Sequence, residues 1–382
     1  MKKMKKMMCI LTAVAMLFTM TGLGVFAAEE VESPAEDQVV GTQDSDLESA
    51  VVEVQDVDAA ENESPKPVII PDKPVVTALS GFHSVKLKWN KSNNAEAYNI
   101  GFRNANGKWE SVGVTRNLEI EKKGLKARNN YKFRVFAVRL KEASKNKANL
   151  TYHDINGETT NGVWTGEVSE PTYVDKQCVA RMEIAVTLKK TRTYGGVKMK
   201  AGTRVITDGY SAGNYYFDNP RGKRAYVARI AARGARADYQ PNGDYGLESA
   251  EFFINDYLNS NKSLKPKNGR VIWVSTYTQH LYMFKEEGGK YVSLNGYNWP
   301  VSMGKATTPS PTGNKMIKKR ISARHGIKFW SCYSGMNALH GVKGSWGKKL
   351  GRLASHGCIR NPKDGAAKIW QNCKKGTRVI VY

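Results

Sequence analysis

His340 and, after fourteen intervening residues, Ser355-His356-Gly357-Cys358-Ile359-Arg360 stand near the end of the 382-residue chain. Acyl transfer through sulfur needs a nucleophilic thiol, a base to activate it, and donors for the developing oxyanion. Cys358 supplies the sulfur and His340 the base. Gly357 lets the backbone turn tightly and leaves N–H groups beside the sulfur. Downstream, Asn361-Pro362 predicts a helix start, because proline fits the first turn. Ala366, Ile369, Trp370 and Cys373 then fall on one helical face, and Gly376 closes the segment. This spacing puts Cys358 just before a helix N-terminus. The dipole and the nearby Arg360 are therefore expected to lower the thiol pKa.

Other readings of these residues are weaker. If Cys9 leaves with an export signal, Cys178, Cys332, Cys358 and Cys373 remain, an even number that admits disulfides. Cys373 reads as a buried hydrophobe, and no spacing selects a partner for Cys178 or Cys332. A zinc site from Cys332, His340, His356 and Cys358 lacks any CxxC or HExxH spacing, so neither metal nor cofactor is expected. His83, His153, His280 and His325 have no partner pattern.

The elements that must position this chemistry read as β-structure. Val271 to Phe284 reads as two strands around a turn. Gly288-Gly289 and Asn295-Gly296 suggest hairpins, and Thr377 to Tyr382 supplies a closing strand. Thr308-Pro309-Ser310-Pro311-Thr312-Gly313 is a rigid turn. The long polar stretch after it, with Lys315, Lys318, Lys319, Arg320 and Arg324, reads as a substrate-covering flap, with a plain surface excursion as the alternative. Phe252, Phe253, Tyr257 and Leu258 predict a short amphipathic helix over about 248–258.

His340 with Ser355-His356-Gly357-Cys358 at this spacing resembles the signature of L,D-transpeptidases. The Thr-Pro-x-Pro-Thr-Gly turn, Ile272-Trp273-Val274 with Gln279, and Trp330-Ser331-Cys332-Tyr333-Ser334-Gly335 are similar to that family in the same order. The resemblance covers about 245–382. Arg360 departs from the strict pattern, which has asparagine there. The resemblance implies a β-sandwich catalytic domain that cross-links peptidoglycan. Cys358 would attack the third-residue carbonyl of a tetrapeptide stem, release D-alanine and hold a thioester that a neighbouring stem's amine resolves. His340 would take the thiol proton, with the Gly341 carbonyl orienting its ring. Backbone N–H groups of Gly357 and Cys358, with His356, would hold the oxyanion. Ser355, Tyr333 and Arg360 would contact substrate, Arg360 alternatively bracing the loop. Carbapenem-type inhibitors would acylate Cys358. An L,D-carboxypeptidase with the same nucleophile, or a silent wall-binding protein, are the alternatives.

Upstream, residues 72–174 alternate with period two, as in Val85, Leu87 and Trp89, or Tyr98, Ile100 and Phe102. About seven short strands of this kind predict a β-sandwich. The segment resembles a fibronectin type III domain, with Leu125 six residues before Tyr131 as in a tyrosine corner and Trp164 on the last strand. Residues 176–244 read as further short strands and look like a small SH3-like barrel. The fold class is thus mainly β and multidomain, with catalysis in 245–382.

Composition sets the context. Lys2 to Lys6, an apolar run from Met7 to Phe26 and Val25-Phe26-Ala27 have the order of a secretory signal over 1–27. An uncleaved anchor is the alternative. Residues 28–71 hold thirteen acidic residues and read as a disordered linker. From Pro65 onward 55 basic residues face 22 acidic ones. In an exported, wall-associated protein such charge points to anionic wall polymers, peptidoglycan carboxylates or acidic lipid headgroups rather than nucleic acid, with a solvated basic surface as the alternative.

Overall fold

The computed structural model describes residues 67–104, 106–141, 145–146, 165–243 and 245–382. The expected signal, all but the last few linker residues, Trp164 and His153 lie outside the described residues. Those described all belong to one compact unit, 65–382, and its architecture is mainly β.

The first module is a two-sheet sandwich. β1 (Val76–Ser80), β2 (Val85–Trp89) and β5 (Glu119–Lys122) form one sheet. β3 (Ala97–Arg103), β4 (Trp109–Thr115), β6 (Asn130–Leu140), β7 (Thr165–Val168) and β8 (Thr172–Gln177) form the other. The alternating residues meet between them: Trp89 and Tyr98 are 5.2 Å apart, over Ile100, Phe133 and Val135. The Tyr131 hydroxyl accepts the Lys126 N–H at 2.8 Å, the back-bond of a tyrosine corner. This is a fibronectin type III-like fold.

Eight short strands make the second module. β9 (Glu183–Leu188) lies between β12 (Arg204–Thr207) and β16 (Ala232–Asp238). β10 (Arg192–Tyr194) pairs with β11 (Val197–Met199). β13 (Gly209–Ser211), β14 (Asn214–Asp218) and β15 (Arg224–Ala228) form a meander. Their inward residues, among them Val186, Leu188, Tyr215, Phe217 and Val227, share one core.

Helix α1 (Leu247–Ser260) leads into the last domain. Its main sheet has the order β19 (Lys290–Pro300), β18 (His280–Glu287), β17 (Arg270–Ser275), β25 (Arg378–Val381), β20 (Gly313–Met316). β17 is buried on both faces, which is why its sequence is an unbroken apolar run rather than an alternation. Val271 and Trp273 point toward α1, where Trp273 stacks on Phe253 at 4.2 Å and Tyr282 at 4.9 Å. Ile272 and Val274 point the other way, into the core shared with the second sheet.

The second sheet is β21 (Lys319–Arg324), β22 (Ile327–Ser334), β23 (Asn337–Gly341) and β24 (Ile359–Asn361). Tyr333, Leu339 and Ile359 reach inward from it, and helix α2 (Lys363–Asn372) adds Ile369. Two expectations are corrected. The polar stretch read as a long connection is ordered strand: β20 pairs with β25 and β21 with β22. Its polarity has a plain cause, since β21 is only half buried. Asn295-Gly296 is no hairpin turn either. Both residues have positive φ, 52° and 66°, within β19, where the register with β18 shifts, so they form a bulge.

Candidate active site

Three strands carry the chemistry. β22 is antiparallel to β23, and β23 is parallel to β24, with His340 opposite Arg360. A parallel pair needs a crossover, and residues 342–358 provide it, including a 3-10 turn at Gly344–Lys349. That turn brings Trp346 back over the strand ends. The Arg360 guanidinium lies 3.9 Å over its ring, and His340 is stacked on Trp330 at 4.3 Å.

His340 is 3% exposed, and its Nδ1–H donates to the Gly341 carbonyl at 2.7 Å. That bond leaves Nε2 as the free lone pair of a neutral imidazole. Burial, with the Arg360 charge nearby, holds the His340 pKa below its ordinary value despite this bond. Below the strand end, the Asn361 amide donates to the His340 carbonyl at 3.3 Å and accepts Trp299 Nε1–H at 2.9 Å.

Cys358 stands on a turn braced from three sides. The Ser355 hydroxyl donates to the Cys358 carbonyl and accepts the Gly357 N–H at 3.1 Å. The Tyr333 hydroxyl donates to the Gly357 carbonyl at 3.3 Å, and that of Ser310 to the Cys358 carbonyl at 3.4 Å. Gly357 has φ +121°, and a Cβ there would lie 2.5 Å from Asn337 Oδ1. Only glycine fits.

Several expectations change here. The Cys358 thiol pKa is raised, not lowered: burial is the largest cause and outweighs the Ala338 backbone hydrogen bond and the Arg360 and Arg324 charges. The helix contributes little, because β24 and Pro362 separate Cys358 from the first turn of α2 at Lys363, and dipole effects fade within a turn. Ser355 and Tyr333, expected to touch substrate, are each 1% exposed and instead hold the nucleophile turn. Arg360 is 8% exposed and stacked on Trp346, a brace between base and nucleophile. The structure thus brings His340, Gly341, Arg360, Cys358, Gly357, Ser355 and Tyr333 together, with His356 exposed at the edge. All four described cysteines are free thiols, and burial pushes Cys178 and Cys373 up to about 12.

Sequence reasoning missed Ser310, Trp346 and Asn361 as parts of the site. Ser310 is the unspecified position of the Thr-Pro-x-Pro-Thr-Gly motif, and Asn361 reads locally as a helix start. Nothing local marks Trp346. Among the described residues no group of three or more His, Cys, Asp or Glu is placed to hold a metal.

Residues 269–381 match the family model described as L,D-transpeptidase catalytic domain (YkuD). No curated protein matches the chain. Among solved structures, a fused Zn-dependent amidase/peptidase/peptidoglycan-binding domain-containing protein from Clostridium acetobutylicum is 22% identical, with TM-score 0.29 over 37% of this chain and 64% of its own. An L,D-transpeptidase from Stackebrandtia nassauensis is 20% identical, with TM-score 0.26 over 31% of this chain and 57% of its own. L,D-transpeptidase 3 from Mycobacterium tuberculosis, in complex with a faropenem-derived adduct, is 19% identical, with TM-score 0.26 over 30% of this chain and 60% of its own. This chain therefore spans less than two thirds of each of these proteins. The family match spans the strand of His340 and the turn of Cys358: residues 269–381 are an L,D-transpeptidase catalytic domain, a domain of an acyltransferase family.

Proposed function

We propose that the chain is an exported peptidoglycan L,D-transpeptidase that works through a Cys358 thioester. The observation that carries the reading is that adjacent parallel strands set a buried, neutral His340, its Nδ1 committed to the Gly341 carbonyl, opposite Arg360, two residues after a thiol on a turn only glycine can make. With the thiol raised and the imidazole lowered, the resting pair is neutral. Proton transfer then accompanies attack rather than preceding it. As Cys358 Sγ bonds to the third-residue carbonyl carbon of a tetrapeptide stem, its proton passes to His340. The tetrahedral oxyanion is held by the Cys358 N–H with His356 at the rim, since the Gly357 N–H is engaged by Ser355. Collapse breaks the peptide bond, and His340 returns the proton to the departing D-alanine amine. An acceptor-stem amine then attacks the thioester, gives a proton to His340, and the released sulfur recovers it. Carbapenem-type β-lactams, which mimic the acyl donor, enter the first half of this cycle and stop there. The test is intact-protein mass with a tetrapeptide stem, plus product analysis. A thioester adduct and cross-linked dimer support the reading. Tripeptide alone would mean that water is the acceptor and the enzyme is an L,D-carboxypeptidase. No adduct would leave a wall-binding protein.

A further inference from the structure

A cleft of about 460 Å³ lies between the second module and the nucleophile turn. Ala212, Gly213 and Arg229 of that module form one side; Pro309, Asn337 and His356 of the catalytic domain form the other. This volume is in the range of sites that enclose small ligands and short peptides. The cleft runs close to the reacting atom, because Met336 also lines it and its carbonyl is 4.0 Å from Cys358 Sγ.

The outer wall is fixed to the domain that it faces. Tyr210 N–H donates to Thr312 Oγ1 at 2.9 Å, and Thr312 N–H returns a bond to the Tyr210 carbonyl at 2.8 Å. The Tyr215 hydroxyl donates to the Ala306 carbonyl at 2.6 Å, and Lys315 Nζ to Ser211 Oγ at 3.2 Å. The β13–β14 turn places two consecutive residues in the left-handed region, Ala212 at φ 48° and Gly213 at φ 78°. That is the geometry a two-residue hairpin turn requires, and it fixes the tip of the turn at the cleft wall.

The charge of the cleft is one-sided. No Asp or Glu lines it. Arg229 is exposed, its backbone N–H donates to the Gly213 carbonyl at 2.9 Å, and its guanidinium makes no ion pair among the described residues. A free guanidinium beside backbone and hydroxyl groups suits a carboxylate, which it can bind through two parallel hydrogen bonds.

We infer that the second module completes the substrate site: the cleft is a carboxylate-recognising subsite for the stem peptide, and Arg229 is its cation. This rests on the transpeptidase reading above. Full-length Cys358→Ala protein, which cannot turn over, is titrated with a tetrapeptide stem in free-acid and fully amidated forms. Adding Arg229→Ala is expected to weaken free-acid binding about tenfold, the usual size of one charge-assisted contact. Arg229→Lys should recover part of it, and the amidated peptide should bind all three proteins equally. Equal free-acid affinity with and without Arg229, or no binding to the parent at millimolar peptide, would overturn the inference. An Arg229→Ala protein with intact Cys358 should keep its iodoacetamide alkylation rate; a changed rate would mean a disturbed nucleophile turn and would equally overturn it. The two readings fail separately. Arg229-dependent binding without acyl transfer in the wild type would sink only the transpeptidase, whereas cross-linking indifferent to Arg229 would sink only the subsite.

Discussion

At the scale of single residues, burial holds the Cys358 thiol above and the His340 imidazole below their ordinary pKa values, so the proposed nucleophile and base rest neutral. Alkylation of Cys358 by a small neutral reagent should rise with pH along a curve centred above the ordinary thiol value of ~8.5, because burial raises this pKa. A midpoint below that value would mean a resting thiolate and would refute the neutral pair. Acylation by a carbapenem should also rise with pH, but with its limb at lower pH. It fails as His340 gains a proton, and since burial lowers that pKa, the loss should begin only below pH ~6.5. Cys358→Ala should abolish adduct and cross-linking together. His340→Ala keeps the sulfur but should slow acylation by roughly 10²–10⁴-fold, the common contribution of a general base. A Cys358→Ala protein that still took up the carbapenem mass would end the assignment.

At the scale of elements, the turn between the β23 crossover and β24 is held by hydroxyls that do no chemistry. Tyr333→Phe removes a buried donor and leaves the Gly357 carbonyl unsatisfied, a cost of about 1–3 kcal/mol. Carbapenem acylation should slow while the thermal midpoint falls by only a few degrees. Gly357→Ala is the sharper test, because its φ of +121° and the Asn337 contact both forbid a side chain. More than tenfold loss of acylation is expected, and wild-type rates in this variant would show that the turn is not constrained as described. The element that local sequence misrepresented was 313–324. Its polar residues suggested a loop, but half-buried strands carry polar side chains on their open face, and pairing to β25 and β22 is a non-local fact.

At the scale of the whole molecule, the modules share apolar surface. Phe82 of the first sandwich packs on Tyr257 at 4.8 Å and Tyr382 at 5.5 Å, and Val179 joins the core under α1. The Phe82 N–H and the Ser84 hydroxyl both donate to Asp256 at 3.0 Å. Phe82→Ala should therefore loosen the joint by about 2 kcal/mol for a half-buried ring, less than a fully buried one. Calorimetry should then resolve two transitions where the parent gives one; a single unchanged transition would refute the coupling. The charge excess acts at this scale too. Retention on isolated cell walls should fall steeply as salt passes ~0.1 M, where screening shortens to ~10 Å. Binding indifferent to salt would remove the electrostatic reading.

The sequence alone was enough for what depends on neighbours along the chain. Periodicity gave the strands of the first sandwich, the apolar run of β17 and the helix at 247–260. The spacing from His340 to Cys358 named the two residues through its resemblance to the L,D-transpeptidase signature, and the structure shows that this length of chain is the crossover of a parallel strand pair. Tertiary structure decided everything set by burial and by contacts across the fold. It turned Ser355 and Tyr333 from substrate contacts into braces and raised the Cys358 pKa that a nearby arginine and helix were expected to lower. It also brought Arg229, over a hundred positions upstream, to the edge of the cleft. Desolvation and long-range packing leave no local pattern, since they arise only when distant segments exclude water from the same space.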